Sequence, residues 1–225
     1  MKIFRSKIFF PIWLLRIKTF KSNSIEKLVK FAFTMGGGII KPSQVTDEII
    51  SFLNFLSKLK PKYILEIGTA SGGTMFLFTR VASEDATIIS IDLPKGNFGG
   101  GYPEWKIPLF KSFALSQQKI NLIRADSHDM TTLKKTKSIL KDKRLDLLFI
   151  DGDHSYEGVK KDFEMYSPLV KKGGIIAFHD IVPGPERKVG GVPKFWTEIK
   201  RKYPSSEIVK DWNQKGYGIG FIKSF

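Results

Sequence analysis

The sequence predicts one doubly wound α/β domain, with a mostly parallel seven-stranded sheet, helices on both faces and an antiparallel last strand. Apolar runs recur along the chain at intervals that leave room for a helix between them. Most of these runs are continuous rather than alternating in polarity, which is typical of strands covered on both faces. The 225 residues suffice for one well-buried core and are few for two. We therefore expect a basic, aromatic-rich appendage over residues 1–44 and one domain over residues 45–225.

The individual elements follow from these patterns in chain order. The predicted strands are Tyr63–Ile67, Thr87–Ile91, Ile120–Arg124, Leu145–Ile150, Gly174–Phe178, Glu207–Lys210 and Tyr217–Ile222. The amphipathic stretches between them, predicted as helices, are Val45–Leu59, Thr74–Ala82, Met130–Lys141, Tyr156–Leu169 and Pro193–Lys200. In parallel sheets of this kind, ligands bind at the carboxyl ends of the strands, near the switch in strand order. The residues that follow each strand are therefore the candidates for a functional site.

The N-terminal segment contains an apolar run, Ile8–Leu15, that is shorter than the ~20 residues of a membrane-spanning helix. Basic residues follow directly and no small-residue cleavage site is present, which argues against a secretory signal. Two interpretations remain open. The segment lies in a membrane interface, or Phe9, Trp13 and Leu14 dock on the domain or on a second subunit of a homo-oligomer.

The composition is strongly basic, with 37 lysine and arginine residues against 22 acidic ones and a formal net charge of +15. Such a surface attracts polyanions, including nucleic acid and anionic membranes. Nucleic-acid binding is not favoured, because no RNA-recognition or helix-turn-helix pattern accompanies the charge. The absence of cysteine excludes disulfides, a thiolate zinc site and a thiol nucleophile. Any metal must therefore be held by oxygen or imidazole.

A glycine-rich loop follows the first predicted strand, where the chain reads EIGTASGG from Glu66. Such a loop between a strand and a helix lets a ligand approach the backbone closely. The Glu66 carboxylate would repel the pyrophosphate of a dinucleotide, but it suits a cationic amino-acid or sulfonium group. Asp92 ends the second strand, where a carboxylate can accept hydrogen bonds from both hydroxyls of a ribose. Together these residues favour S-adenosylmethionine over NAD.

Acidic and histidine side chains follow the fourth and fifth predicted strands, at Asp151 and at His179–Asp180. If these strands are neighbours about 4.8 Å apart, Asp151 and Asp180 emerge close enough to share a divalent ion. Two oxygen ligands and waters suit magnesium or manganese. His179 joins them only if the strand has ended, because consecutive strand residues point to opposite faces. An imidazole ligand would shift the preference towards manganese, iron or zinc.

Two further histidines follow strands in the sequence. His154 lies three residues beyond Asp151 and is expected as the general base, because imidazole titrates near neutrality and an adjacent metal would lower the pKa of a substrate hydroxyl. His128 follows the third strand and is expected at the surface. Asp153 and Ser155 are expected as helix caps.

Two segments resemble a known enzyme class. EIGTASGG is similar to the first motif of class I S-adenosylmethionine-dependent methyltransferases, in the looser form of small O-methyltransferases. IDGDHSYEGVKKDFEMYSPLVKKGGIIAFHD resembles the metal-assisted O-methyltransferases, a group that includes macrocin-like sugar methyltransferases and cephalosporin-hydroxylase-like proteins. The resemblance covers roughly residues 39–222.

This resemblance implies residues for the methionine part of the cofactor, its adenine and the ion. For the methionine part they are Glu66, Gly68 and Gly72, and Thr69 of the same loop is a further expected cofactor residue. For the adenine they are Asp126 and Ser127, and for the ion they are Asp151, His179 and Asp180. The chain departs from the family pattern at Ala70, where many families have a second glycine. It also has histidine then aspartate after the fifth strand, where relatives often carry two acids or an acid and an asparagine. The identity of the metal therefore stays open.

We expect a cytoplasmic enzyme, soluble or membrane-peripheral, that methylates a hydroxyl of a small molecule or sugar with S-adenosylmethionine and a divalent ion, magnesium or manganese first. Three alternatives remain. Net charge favours an RNA methyltransferase, although no AsnProProTyr-like tetrapeptide is present. A catalytically inactive cofactor-binding adaptor at a membrane and an oxidative enzyme are the others. The irregular segments Pro94–Trp105 and Ile181–Pro193 are candidate lids over the acceptor.

Overall fold

The computed structural model describes residues 2–96, 98 and 100–224, with side chains from residue 9 onward. The helices are α1 (Lys2–Thr19), α2 (Ile25–Thr34), α3 (Thr46–Leu59), α4 (Gly73–Val81), α5 (Lys106–Lys111), α6 (Met130–Leu140), α7 (Tyr156–Tyr166), α8 (Glu186–Val189) and α9 (Val192–Lys202). The strands are β1 (Tyr63–Ile67), β2 (Thr87–Ile91), β3 (Lys119–Ile123), β4 (Leu145–Ile150), β5 (Val170–His179), β6 (Ser205–Ile208) and β7 (Ile219–Lys223). Short 3₁₀ turns follow α2 and α7, over Met35–Gly37 and Ser167–Leu169.

The described strands form one sheet in the order β3-β2-β1-β4-β5-β7-β6. The pairs from β3 through β5 are parallel, whereas β7 runs antiparallel to both of its neighbours. The predicted fold class is confirmed. The strand order reverses between β1 and β4, and the crevice at the carboxyl ends of these two strands is where a doubly wound sheet binds its ligands.

Strand bounds agree with prediction for β1, β2 and β4 and differ most around the last three strands. β5 begins at Val170 rather than Gly174, because its first residues pair with β4 ahead of a register shift. β6 lies two residues earlier than predicted. β7 begins at Ile219 rather than Tyr217, since Tyr217 has a φ of 63°, in the left-handed region that strands do not use.

The hydrophobic core consists of two clusters, one on each face of the sheet. Leu148 and Phe149 of β4 point to opposite faces, as consecutive strand residues do, and each belongs to a different cluster. On one face Phe149 contacts Phe52 of α3, with ring centroids 6.0 Å apart. On the other face Phe178 of β5 contacts Trp196 of α9 at 5.7 Å. Each such buried side chain stabilises the fold by roughly 1.5–3 kcal/mol.

The first two helices pack on the same core. Ile17 of α1 is fully buried. Phe20 stacks on Phe31 with centroids 3.8 Å apart, and Phe31 in turn contacts Phe76 of α4 at 5.5 Å. Arg80 of α4 donates to the Ile17 carbonyl at 3.1 Å. The N-terminal segment is therefore tied to α4 by apolar contacts and by a hydrogen bond.

The two sides of α1 differ in exposure. Trp13 and Leu14 are partly buried against the core, whereas Phe9, Ile12 and Leu15 are 44%, 50% and 63% exposed. The inner side thus docks on the domain, and the outer side presents apolar residues to solvent. The predicted domain boundary after residue 44 stays a prediction. Among the described helices, none combines the length and apolar character needed to cross a bilayer.

Candidate active site

The loop between β1 and α4 lies tightly against the end of β4. Gly68 has a φ of 91°, and a Cβ there would overlap the carbonyl oxygen of Asp151. Gly72 has a φ of 83°, and its Cβ would lie 2.5 Å from the ring of Phe110. At each of these two positions, only glycine adopts the positive φ readily and also fits the space that the neighbouring atoms leave. Ala70 also has a positive φ, 44°, so the loop keeps a turn there without the family's second glycine.

Asp92, at the end of β2, organises this loop. Its Oδ2 accepts the backbone N–H of Thr69 at 2.9 Å and of Ala70 at 2.6 Å, and its Oδ1 accepts the N–H of Gly101. These bonds use three of about four lone-pair sites of a carboxylate. Asp92 is buried, and burial raises its pKa. The carboxylate therefore fixes the loop and keeps capacity for one further donor.

Glu66, near the end of β1, is fully buried, and neither carboxyl oxygen has a hydrogen-bond partner among the described residues. Burial raises the pKa of Glu66 well above its usual value, and the charges of Asp151 and Asp92 raise it further. A buried carboxyl without partners is costly unless it is neutral or meets a cation. The buried Glu66 carboxyl is thus suited to pair with a cation such as an ammonium or sulfonium group.

A first cleft opens between the glycine loop and the ends of β2 and β3. It is lined by four of the residues predicted to bind the cofactor, namely Gly68, Asp92, Asp126 and Ser127. The other three, Glu66, Thr69 and Gly72, lie in and behind the loop that forms one wall of the cleft. These seven residues therefore lie together around one cleft, and their roles in cofactor binding stay predictions.

His128 also lines the first cleft, and the prediction of a surface position for it is wrong. Its side chain is 16% exposed, with Nε2 3.3 Å from Oδ1 of the fully buried Asp162 of α7. The nearby Asp162 carboxylate raises the pKa of His128, whose Nε2 also lies 3.1 Å from the Gly158 carbonyl oxygen, and burial raises the pKa of Asp162. Its position directly after β3, at the ligand-binding edge of the sheet, is the signal that could have identified it.

The ends of β4 and β5 bring together a cluster of carboxylate and imidazole groups. Asp151, His154 and Asp180 each offer one ligand atom, and these atoms all lie within 4.8 Å of one another. His154 Nε2 lies 3.4 Å from Asp151 Oδ1, and His154 Nδ1 lies 3.5 Å from Asp180 Oδ2. Two carboxylates and an imidazole are a donor set that suits a divalent ion.

The side chain of His179 also lies in this cluster. β5 ends at His179, and Asp180 has a φ of 60°, which turns the chain so that both side chains reach Asp151. His179 Nδ1 lies 3.1 Å from Asp151 Oδ1 and 3.6 Å from Asp180 Oδ2. Its Nε2 is buried without a partner among the described residues. Asp180 therefore lies beyond the end of β5, as the sequence analysis required if His179 and Asp180 were to face one site.

The cluster is electrostatically coupled. Burial disfavours the charged form of Asp151, but the charges and hydrogen bonds of His179 and His154 outweigh it and lower its pKa well below the usual range. Burial likewise opposes protonation of His154 and His179, yet the neighbouring carboxylates raise the pKa of each to about 9. Burial raises the pKa of Asp180. Protonated histidines therefore balance the carboxylates, and a metal cation would bind in exchange for these protons.

Two hydrogen bonds orient the cluster, one to a backbone carbonyl and one from a side-chain amide. His154 Nδ1 donates a hydrogen bond to the Lys188 carbonyl, so Nε2 is the nitrogen that becomes free to act on a ligand once the imidazolium loses one proton. Gln44 donates to Asp151 Oδ2 at 3.4 Å and accepts from the Thr74 hydroxyl at 2.7 Å. Gln44 lies in the irregular segment before α3, and no sequence pattern singled it out.

A second cleft opens above the cluster and is lined by Asp151, His154, His179 and Asp180. Both clefts share Gly68, Ala70, Phe98 and Asp151. Two ligands bound in the two clefts would therefore meet beside Asp151. Phe98 stacks on the His154 ring at 5.0 Å and covers this junction from the Pro94–Trp105 segment. The neighbouring residues 97 and 99 of that candidate lid lie outside the described residues.

Comparison with curated proteins finds partial relatives. The uncharacterized protein y4gI of Sinorhizobium fredii is 30% identical over 151 residues, covering 65% of this chain and 16% of that protein. The caffeoyl-CoA O-methyltransferase of Populus kitakamiensis is 31% identical over 153 residues, covering 68% of this chain and 61% of the enzyme. The chain thus spans less than two thirds of the length of these relatives.

Solved structures share the fold at low identity. The O-methyltransferase from Bacillus cereus, in complex with SAH, superposes with a TM-score of 0.58 at 16% identity, covering 91% of this chain and 92% of that chain. The family model described as a methyltransferase domain matches residues 65–181, just over half of the chain. That range contains Glu66, Asp92, Asp151 and Asp180, so it includes the residues at the ends of β1, β2, β4 and β5. The chain belongs to this methyltransferase-domain family.

Proposed function

We propose that the chain transfers the methyl group of S-adenosylmethionine to a hydroxyl oxygen of a small molecule or sugar, with the help of a divalent ion. The observation that carries the proposal is the junction of the two clefts beside Asp151, where the glycine loop meets the carboxylate and imidazole cluster. The names of relatives support it: one is a caffeoyl-CoA O-methyltransferase, and another binds SAH, which is what S-adenosylmethionine becomes after methyl transfer.

The residues of the first cleft would bind the methyl donor. Asp92 has capacity for a ribose hydroxyl, and Asp126 and Ser127 line the same cleft for the adenine. Glu66 would lose its proton and pair with the positive charge of the methionine part. This pairing would satisfy carboxyl oxygens that otherwise have no described partner.

Asp151 and Asp180 would hold the ion, with His179 as the third ligand. A divalent ion held there would supply Lewis-acid chemistry, which lowers the pKa of a substrate hydroxyl and orients it. His154 would act as general base: its Nε2 takes the hydroxyl proton, the oxygen forms a bond to the methyl carbon, and the bond from that carbon to sulfur breaks. His154 suits the role better than His179, because its side chain is 12% exposed in the second cleft and that of His179 only 2%.

The division of roles between the histidines is tested by manganese binding and turnover measured in parallel. We expect His154→Gln to bind Mn²⁺ within about threefold of wild type and to lose at least roughly 100-fold in methyl transfer, the lower range for general base catalysis. His179→Gln and Asp151→Asn should both weaken Mn²⁺ binding. Equal loss of metal affinity in His154→Gln and Asp151→Asn would contradict the assignment.

The reaction itself is tested with S-adenosylmethionine labelled in its methyl group and a panel of hydroxylated acceptors, with RNA as a competing substrate. We expect label on oxygen of a small acceptor, loss of transfer with a chelator and recovery with Mg²⁺ or Mn²⁺. Label on RNA, or full activity in the presence of the chelator, would contradict the proposal.

We also propose that the chain acts in the cytoplasm and binds anionic membranes peripherally through the outer side of α1. The exposed residues Phe9, Ile12 and Leu15 lie beside the basic residues Arg16 and Lys18 of its last turn. Sedimentation with phosphatidylglycerol vesicles should carry down the wild-type protein and spare an Ile12→Asp/Leu15→Asp variant. Absence of sedimentation, with a dimer that the double variant dissociates, would show instead that this side is a subunit interface.

A further inference from the structure

The second cleft has a cationic rim, which we define as Arg187, Lys188 and Lys215. Arg187 and Lys188 belong to α8, and Lys215 belongs to the loop between β6 and β7. All three side chains are exposed, and among the described residues none has a carboxylate within ion-pairing distance. Two separate segments therefore bring unpaired positive charge to one opening.

The loop that carries Lys215 is held in place from beneath. Glu48 of α3 is buried and accepts the backbone N–H of Lys210 at 2.9 Å and of Gly218 at 3.0 Å, together with the Gln214 side-chain amide at 2.7 Å. Lys215 itself has a φ of 60°, a conformation that persists only where its surroundings impose it. The rim is thus a fixed feature of the fold on this side.

The segment that carries Arg187 and Lys188 is fixed against the cluster and against the Lys215 loop. A Cβ at Gly184 would lie 2.7 Å from the backbone nitrogen of Gly216, and a Cβ at Gly190 would overlap the His154 carbonyl. The Lys188 carbonyl is hydrogen-bonded to His154 Nδ1. The position of the rim relative to the cluster is therefore set by close backbone contacts.

The net charge of the second cleft favours one class of acceptor. With a divalent ion on Asp151 and Asp180, the charges of metal and ligands cancel, and the rim remains as net positive charge at the mouth of the cleft. A neutral sugar would leave these cations without a partner, whereas a phosphate group would accept hydrogen bonds from arginine and lysine together. We infer that the acceptor methylated at this site carries a phosphate group, which the cationic rim binds while its hydroxyl reaches the cluster. This inference rests on the proposed function for the role of the cleft.

The test compares binding of phenyl phosphate and phenol, by calorimetry at low salt, with Mg²⁺ and SAH present so that no turnover occurs. The rim variant is Arg187→Gln/Lys188→Gln/Lys215→Gln. A matched control, Lys134→Gln/Arg201→Gln/Lys202→Gln, removes the same charge from exposed residues that line neither cleft. This control separates the rim from the general positive charge of the protein.

We expect wild type and control to bind phenyl phosphate at least about tenfold more tightly than phenol, and the rim variant to lose most of this preference. Added salt should weaken phosphate binding in wild type and have a smaller effect in the rim variant. Equal phosphate affinity in the rim variant and the control, or no preference over phenol in wild type, would overturn the inference. SAH binding, measured separately, reports on the proposed function and should be the same in all three proteins.

Discussion

Gly68 shows how a single backbone position determines the geometry of the whole site. Its φ of 91° and its contact with the Asp151 carbonyl oxygen place the glycine loop directly against the cluster of carboxylate and imidazole groups. The sequence predicted this glycine as a cofactor residue, but the reason lies in a contact between β1 and β4 that no single segment reveals. Local patterns identify the residue, and the tertiary contact explains it.

We predict that Gly68→Ala destabilises the protein by at least about 3 kcal/mol, because the new Cβ would overlap the Asp151 backbone. Gly173→Ala is the matched control. Gly173 also has a positive φ, 75°, but open space around it, so alanine there should cost only about 1–2 kcal/mol. Urea unfolding of both variants measures the difference, and equal losses would show that conformation alone, without the close contact, explains the glycine.

Glu66 gives a pH-dependent prediction at the same scale. Its folded-state pKa is raised above its unfolded value, so the folded protein binds a proton that the unfolded chain has lost. Its contribution therefore lowers stability as pH rises from about 4.5 towards the folded-state pKa. Glu66→Gln should remove this loss, so the ligand-free variant should gain stability over wild type at pH 8 and little at pH 4.5, while binding S-adenosylmethionine more weakly. Melting curves at both pH values test it, and a constant offset would contradict it.

At the scale of elements, the sequence predicted the bounds of β1, β2 and β4 better than those of the last three strands. β1, β2 and β4 are mainly apolar and end directly before Gly68, Asp92 and Asp151, so polarity and turn residues in the sequence mark their bounds. The conformation of the segment before β7 is determined by tertiary contacts instead. Tyr217 has strand-like character, but its N–H is bonded to Asp180 Oδ1 at 2.7 Å and its φ is positive. Glu48, which anchors the same loop, lies 170 residues from Gly218 in the chain.

We predict that Glu48→Gln loosens the β6–β7 loop, because the amide NH₂ would face backbone donors that the carboxylate now accepts. The expected cost is about 1–3 kcal/mol, with faster hydrogen exchange at Lys210 and Gly218. Glu84→Gln is the control, since Glu84 is exposed and lies in the turn between α4 and β2. Unchanged exchange at the two amides would show that the loop is held by other contacts.

At the scale of the whole molecule, the N-terminal segment is part of the packed structure through its inner side. We predict that Ile17→Ala costs about 2–4 kcal/mol, since Ile17 is fully buried, whereas Ile12→Ala on the exposed side changes stability by less than about 0.5 kcal/mol. Thermal unfolding of the two variants tests this. Similar melting temperatures for both would mean that α1 is not docked in solution.

The fold class and the place of the candidate site could be predicted from the sequence, because a doubly wound sheet brings the carboxyl ends of its parallel strands to one edge. The roles within the cluster could not, because His154 and His179 both approach Asp151, and their burial depends on α8 and on the turn at Asp180. Gln44 and Asp162 could not be predicted as site residues for a related reason. Their importance comes only from partners at distant positions in the sequence, Asp151 and His128.

The central claim, that the first cleft binds S-adenosylmethionine, is tested most directly by calorimetric titration of the protein with S-adenosylmethionine and, separately, with NAD. Each titration is made with and without Mg²⁺ or Mn²⁺. We expect S-adenosylmethionine to bind at a single site without added metal and NAD to show no binding in its own titration. Preferential binding of NAD, or no binding of S-adenosylmethionine under any of these conditions, would contradict the account.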